Sequence, residues 1–98
     1  MSDDELSFAP PAFKPEAALL QLQRALRDLK LNERGSAFEL RGRRVIELGA
    51  DADAVQARIA RKPALMPEWD RLVLRSAAEQ RKFIDDVKKR LARWAQDE

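Results

Sequence analysis

The spacing of the apolar residues changes twice along this chain, and that change restricts the fold more than any other feature. Leu19, Leu22, Leu26 and Leu29 recur at intervals of three, four and three, the stripe of a helix with one face on a core. From Ser36 the interval drops to two: Phe38 and Leu40 alternate with Glu39 and Arg41, and Ile46 and Leu48 with Val45 and Glu47, the mark of strands with one face covered. Ile84, Val87, Leu91 and Trp94 then return to three, four and three, with Phe83 beside them. A helical stripe on each side of an alternating stretch needs a sheet to pack on.

The boundaries follow from local chemistry. Pro15 suits the first turn of a helix, where its fixed φ and missing N–H cost nothing, so the first helix is expected over 15–31. Leu20 and Ala25 widen its stripe, and Gly35 closes it as a left-handed C-cap. The stretch Arg41-Gly42-Arg43-Arg44 reads as a hairpin turn. An odd-numbered loop would put Phe38 and Ile46 on one side, and a bulge at Gly42 would change that register. After a second turn at 49–53, Val55, Ala57 and Ile59 alternate with Gln56, Arg58 and Ala60 as a third strand. The competing reading of 53–61 is a helix capped by Asp51 or Asp53. Pro63 and Pro67 interrupt 61–70, and Leu72-Val73-Leu74 reads as a short extended piece. Ser76-Ala77-Ala78-Glu79 is a capping box opening a helix over 76–95.

The expected fold is α+β: a two-layer sandwich in the order helix, strand, strand, strand, helix. Its sheet is an antiparallel three-stranded meander with both helices on one face. At 98 residues the chain suits one core, assigned to residues 13–96. Residues 1–12, with three acids, Pro10 and Pro11 and no apolar period, are expected to be a disordered or loosely docked tail. The open face would carry Glu39, Arg41, Glu47, Gln56 and Arg58, opposite charges able to pair across strands.

Composition narrows the chemistry. The sequence holds no cysteine, histidine, threonine or tyrosine, and hydroxyls come only from Ser2, Ser7, Ser36 and Ser76. A thiolate nucleophile, a cysteine or histidine metal site and a Ser-His-Asp triad are therefore excluded, and the chain is expected not to be an enzyme and to use no cofactor. Asp51 and Asp53 lack the further ligands and the distal glutamate of a calcium loop, and Asp85 and Asp86 are adjacent on a helix and do not face each other. No apolar run approaches the ~20 residues that cross a bilayer. The acidic start Met1-Ser2-Asp3-Asp4-Glu5 is unlike a basic secretory signal, so a cytoplasmic protein with no membrane role is expected.

The net charge of +2 hides a basic body, because five of the 17 acids sit at Asp3, Asp4, Glu5, Asp97 and Glu98. Such a field attracts nucleic acid or an acidic partner. An arginine- and alanine-rich sequence with one asparagine also fits a GC-rich bacterial genome, in which arginine is favoured by codon composition. The candidate nucleic-acid contacts are Arg41, Arg43 and Arg44 at the hairpin tip and Arg81, Lys82, Lys88 and Lys89 on the last helix. The competing account of the helix is structural: Asp85 with Lys89 and Asp86 with Arg90 are pairs four apart, and bases late in a helix complement its dipole.

A protein partner or self-association is the favoured role, as adaptor, small regulatory subunit or homodimer. The candidate contacts are Leu65, Met66 and Trp69, in a segment more apolar than an exposed loop needs to be. The alternative is a strap in which Trp69 is buried beside Trp94. The element order also resembles that of the double-stranded RNA-binding domain. That family carries a histidine-containing loop between its first strands and a lysine cluster opening its last helix. Here there is no histidine and only Arg81 and Lys82 lie near the cluster, so the similarity extends to topology alone.

Overall fold

The computed structural model describes residues 12–96. The sequence-based tail expectation lies outside the described residues except for Ala12, which is exposed. The elements are α1 (Pro15–Asp28), β1 (Asn32–Arg34), β2 (Ala37–Leu40), β3 (Arg43–Ala50), β4 (Val55–Ala60), β5 (Trp69–Leu74) and α2 (Ala77–Gln96). The strands form one antiparallel sheet in the order β1-β2-β3-β4-β5. The class is α+β as expected, but the sheet has five strands and not three. The alternating segment at 55–60 is a strand, because its period buries Val55, Ala57 and Ile59, which outweighs the helical preference of its alanines and arginine.

The two added strands are the edges. β1 has no apolar residue and is exposed throughout; Gly35, with φ of 60°, turns it into a two-residue hairpin with β2, whose backbone it pairs. Gly35 is therefore a turn residue and not the cap of α1. That helix ends three residues earlier than expected. Lys30 takes the left-handed conformation at φ 71°, its N–H bonds the Arg27 carbonyl, and the Leu31 N–H reaches the Leu26 carbonyl at 3.4 Å. This is a Schellman closure, with Leu26 and Leu31 both buried. A lysine there carries the steric cost of a Cβ at positive φ. Lys30→Gly is expected to raise stability by about 1 kcal/mol, read as a higher denaturation midpoint with unchanged slope.

The β2–β3 loop is Arg41–Gly42, with φ of 53° and 81°, the positive pair of a type I′ turn. A two-residue loop is even-numbered, contrary to the odd one expected. Phe38 still meets Ile46, because the register shifts between Phe38 and Glu39, which faces Arg44. Val45 is the extra residue, in β3 and not at Gly42, and both Val45 and Ile46 are buried, so the expected outward alternation of Val45 does not hold. The bulge adds one more apolar side chain to the core.

Ala18, Leu22 and Leu26 of α1, Phe83, Val87 and Trp94 of α2, and Phe38, Ile46, Leu48, Val55, Ala57, Ile59 and Leu74 of the sheet form one core. Both helices thus pack on the same face of the sheet. Leu20, expected to widen the α1 stripe, is 63% exposed. At the start of α2, Ser76 Oγ accepts the Glu79 N–H at 3.1 Å as a capping box requires, but the Glu79 carboxylate accepts from Arg75 N–H at 2.7 Å and not from Ser76. The return bond is displaced by one residue.

Asp51 closes the β3–β4 loop. Its Oδ1 accepts the N–H groups of Asp53 and Ala54, each at 2.8 Å, and its Oδ2 accepts from Gln56 Nε2 at 2.8 Å. These bonds, that from Asp53 foremost, hold its carboxyl below the ordinary value. Arg61 and then Arg90 do the same for Asp70. A carboxylate whose pKa falls on folding stabilises the native state above its unfolded pKa, and that contribution disappears as pH drops through the lower folded value. The melting temperature is therefore expected to hold steady above about pH 5 and to fall below about pH 4. In Asp51→Asn the acid-side fall should be shallower, as followed by circular dichroism.

Candidate binding groove on the open face of the sheet

Alternation leaves the second face of the sheet uncovered by the helices. It carries Arg34, Glu39, Arg44, Glu47, Gln56, Arg58 and Trp69, which the register sets in neighbouring rows. Arg34 and Glu39 pair at 3.3 Å. Glu47 stands directly opposite Arg58 and takes two guanidiniums, one on each oxygen: Arg44 Nη1 at 3.1 Å on Oε2 and Arg58 Nη2 on Oε1. Arg58 also lies 4.8 Å from the centroid of the Trp69 ring, within cation–π range. A chain Arg44–Glu47–Arg58–Trp69 thus crosses three strands with one negative charge between two positive ones.

The β4–β5 loop, 61–68, overhangs this row. Arg61 N–H donates to the Glu68 carbonyl at 2.9 Å and Arg61 Nε to Asp70 at 3.0 Å, so the loop is tied at its base. Its tip is not turned inward: Leu65 is 80% and Met66 91% exposed. Between the loop and the β2–β3 hairpin lies an open groove of about 490 Å³, with Leu65, Met66, Pro67 and Trp69 on one side and Gly42, Arg43 and Arg44 on the other. Glu47 and Arg58 form the floor.

The structure therefore brings together residues that the sequence leaves in separate segments. Arg43 and Arg44 from the basic candidate set and Leu65, Met66 and Trp69 from the apolar one line the same groove. They meet because the β2–β3 tip and the β4–β5 loop emerge from the same end of the sheet, as the pairing of Ile46 with Ile59 requires. Trp69 is half-buried, packed on the edge of the core and beneath Arg58, while Trp94 is a core residue of α2. Arg41 is exposed at the turn beside the groove.

Arg81, Lys82, Lys88 and Lys89 are exposed on α2, in the layer on the other face of the sheet. Of the pairs expected on that helix, Asp86 with Arg90 forms at 3.2 Å. The seven basic candidates do not make one continuous surface. Among the described residues no three acidic, histidine or cysteine side chains gather as a metal site, and no helix is long and apolar enough to cross a membrane. Arg58 is the residue the sequence reading did not single out. Its alternation marked it for the open face, but its stacking partner lies in a strand that two nearby prolines obscured.

The chain matches no protein-family model, and no curated protein or solved structure shows significant similarity to it. The resemblance in element order to the double-stranded RNA-binding domain also lapses, since two further strands stand at the edges of the sheet.

Proposed function

We propose that this chain is a non-enzymatic protein-binding module whose open-face groove receives an extended segment bearing apolar side chains and carboxylates. The observation that carries this reading is the placing of two almost fully exposed apolar side chains, Leu65 and Met66, against a half-buried tryptophan and opposite two arginines. Exposed leucine and methionine lose water when covered, a flexible methionine adapts to the shape it meets, and arginine takes a carboxylate through two parallel bonds. Glu47 is already shared between Arg44 and Arg58, so it offers little repulsion to an incoming acid.

Calorimetric titration with a ten-residue peptide combining three carboxylates with one leucine and one phenylalanine tests the reading, beside versions in which the acids are amides or the apolar residues serines. Binding is expected for the first peptide, weakened by salt and by Met66→Ser or Arg43→Ala by at least about tenfold, equivalent to 1.4 kcal/mol. Equal binding of all three peptides, or none, would overturn it. A second reading rests on the exposed bases of α2: non-sequence-specific nucleic-acid binding through Arg81, Lys82, Lys88 and Lys89, with the hairpin-tip arginines on the other face. Duplex and single-stranded oligonucleotides at about 50 mM salt, where electrostatic attraction is strong, decide it. Salt-sensitive binding abolished by Lys88→Ala with Lys89→Ala supports this second reading.

A further inference from the structure

The groove calls for acids next to apolar side chains, and the chain contains such a segment. Asp3-Asp4-Glu5-Leu6-Ser7-Phe8 sets three carboxylates immediately before two apolar residues spaced by one, so that in an extended backbone Leu6 and Phe8 fall on the same side. Residues 1–11 contain no base, whereas all 19 lysines and arginines lie between Lys14 and Arg93. The two parts of the molecule are therefore opposite in sign, and the acidic part carries the apolar side chains that Leu65, Met66 and Trp69 would cover.

Chain length determines which groove the segment reaches. Ala12 and Phe13 sit beside Ser76, and Phe13 also beside Asp51 and Ala52, at the end of the sheet where β3 finishes. The groove lies at the other end, where β3 begins with Arg43. β3 spans about 23 Å at ~3.3 Å per residue, and a path from the helical layer must also pass round the sheet edge. Phe8 lies four positions before Ala12 and Leu6 six, spans that reach at most about 14 and 22 Å when fully extended. Phe8 falls short of the groove of its own molecule and Leu6 meets at most its near edge, by Trp69, at full extension, so the two cannot lie in it together with Leu65 and Met66.

Resting on the groove as a binding surface, we infer that Asp3–Phe8 of one copy docks in the groove of a second copy. The carboxylates meet Arg43 and Arg44, Leu6 and Phe8 cover Met66, Leu65 and the edge of Trp69, and reciprocal exchange closes a two-fold dimer. The same groove also admits a foreign segment of like chemistry, so the self-association competes with partner binding.

Sedimentation over a wide concentration range tests this with three forms of the full-length chain: unaltered, Leu6→Ser with Phe8→Ser, and Leu65→Ser with Met66→Ser. The last two positions are exposed, and unchanged circular dichroism is expected for both variants. The unaltered chain should self-associate and dissociate as salt is raised. Each variant alone should be monomeric or weakened at least about tenfold, while an equimolar mixture of the two should associate again, one supplying segment and the other groove. A monomeric unaltered chain, association that both variants retain, or a mixture that fails to restore it would each overturn the inference. If the acidic peptide still binds a monomeric chain, the groove stands and only the self-supply fails; if neither occurs, the groove reading fails as well.

Discussion

Truncating Phe38 to alanine is expected to cost about 3–5 kcal/mol of folding stability. Phe38 is completely buried and pairs with Ile46 where the bulge adds Val45 to the same core. Removing the ring leaves a cavity in the core beside its cross-strand partner Ile46, whose β-branched side chain is stiff and collapses poorly into it. A domain of this size has a total of about 5–15 kcal/mol, so much of the margin would go. The melting temperature should fall by about 4–8 °C for each kcal/mol. Phe38→Leu, which keeps most of the volume, should lose far less. Guanidinium titration checks both, and an alanine variant losing under about 1 kcal/mol would mean that the core does not close around the ring.

Arg90 should be the most sensitive charged position. It is largely covered, and joins α2 to the sheet by donating to the Ala60 carbonyl at 3.0 Å while pairing with Asp70 at 3.0 Å and Asp86 at 3.2 Å. Asp70 lies on the helix-facing side of β5, in the same row as Ile59, so the guanidinium allows a carboxylate to sit at the margin of the core. Arg90→Ala is expected to destabilise by about 2 kcal/mol, from lost charged hydrogen bonds and lost stem packing. Arg90→Lys should recover only part of this, because an ammonium does not span three acceptors with the fixed fork of a guanidinium. Chemical denaturation of the two variants separates these expectations, and full recovery by lysine would reduce the site to simple charge.

Both helices and the three central strands were legible in the sequence because their burial is periodic: Leu22 and Leu26, then Phe38, Ile46, Leu48, Val55, Ala57 and Ile59, then Phe83, Val87 and Trp94. Of the edge strands, only the Leu72-Val73-Leu74 part of β5 was marked, as a short extended piece, and β1 was not marked at all. Asn32-Glu33-Arg34 buries nothing, so no hydrophobic signal exists to mark it; backbone pairing with β2 and surface ion pairs hold it as a strand. In β5 the outward residues Trp69, Arg71 and Val73 share no common polarity, and Pro67 precedes them. Lys30 went unseen as a helix terminator because glycine is the usual occupant of that conformation, and Gly35 lay five residues further on. The groove residues were named in two unrelated groups. Joining them required the strand register, and with it Arg58 over Trp69, which no local pattern reveals.

The order β1-β2-β3-β4-β5 has a consequence for how the molecule assembles. Every strand pairs with the one before it in the chain, through loops of two, two, four and eight residues, so the sheet can zip hairpin by hairpin with little loop-closure entropy at each step. The distant encounters belong to the helices. Gln80 of α2 donates to Gln21 of α1 at 2.9 Å across 59 positions, and Arg90 reaches Ala60 across 30. An isolated five-stranded ribbon would leave one apolar face wet, and each helix alone would have nothing to dry its stripe. The contacts that span the chain are therefore those of the first and last helices with each other and with the sheet, and they bring the two ends of the described chain together.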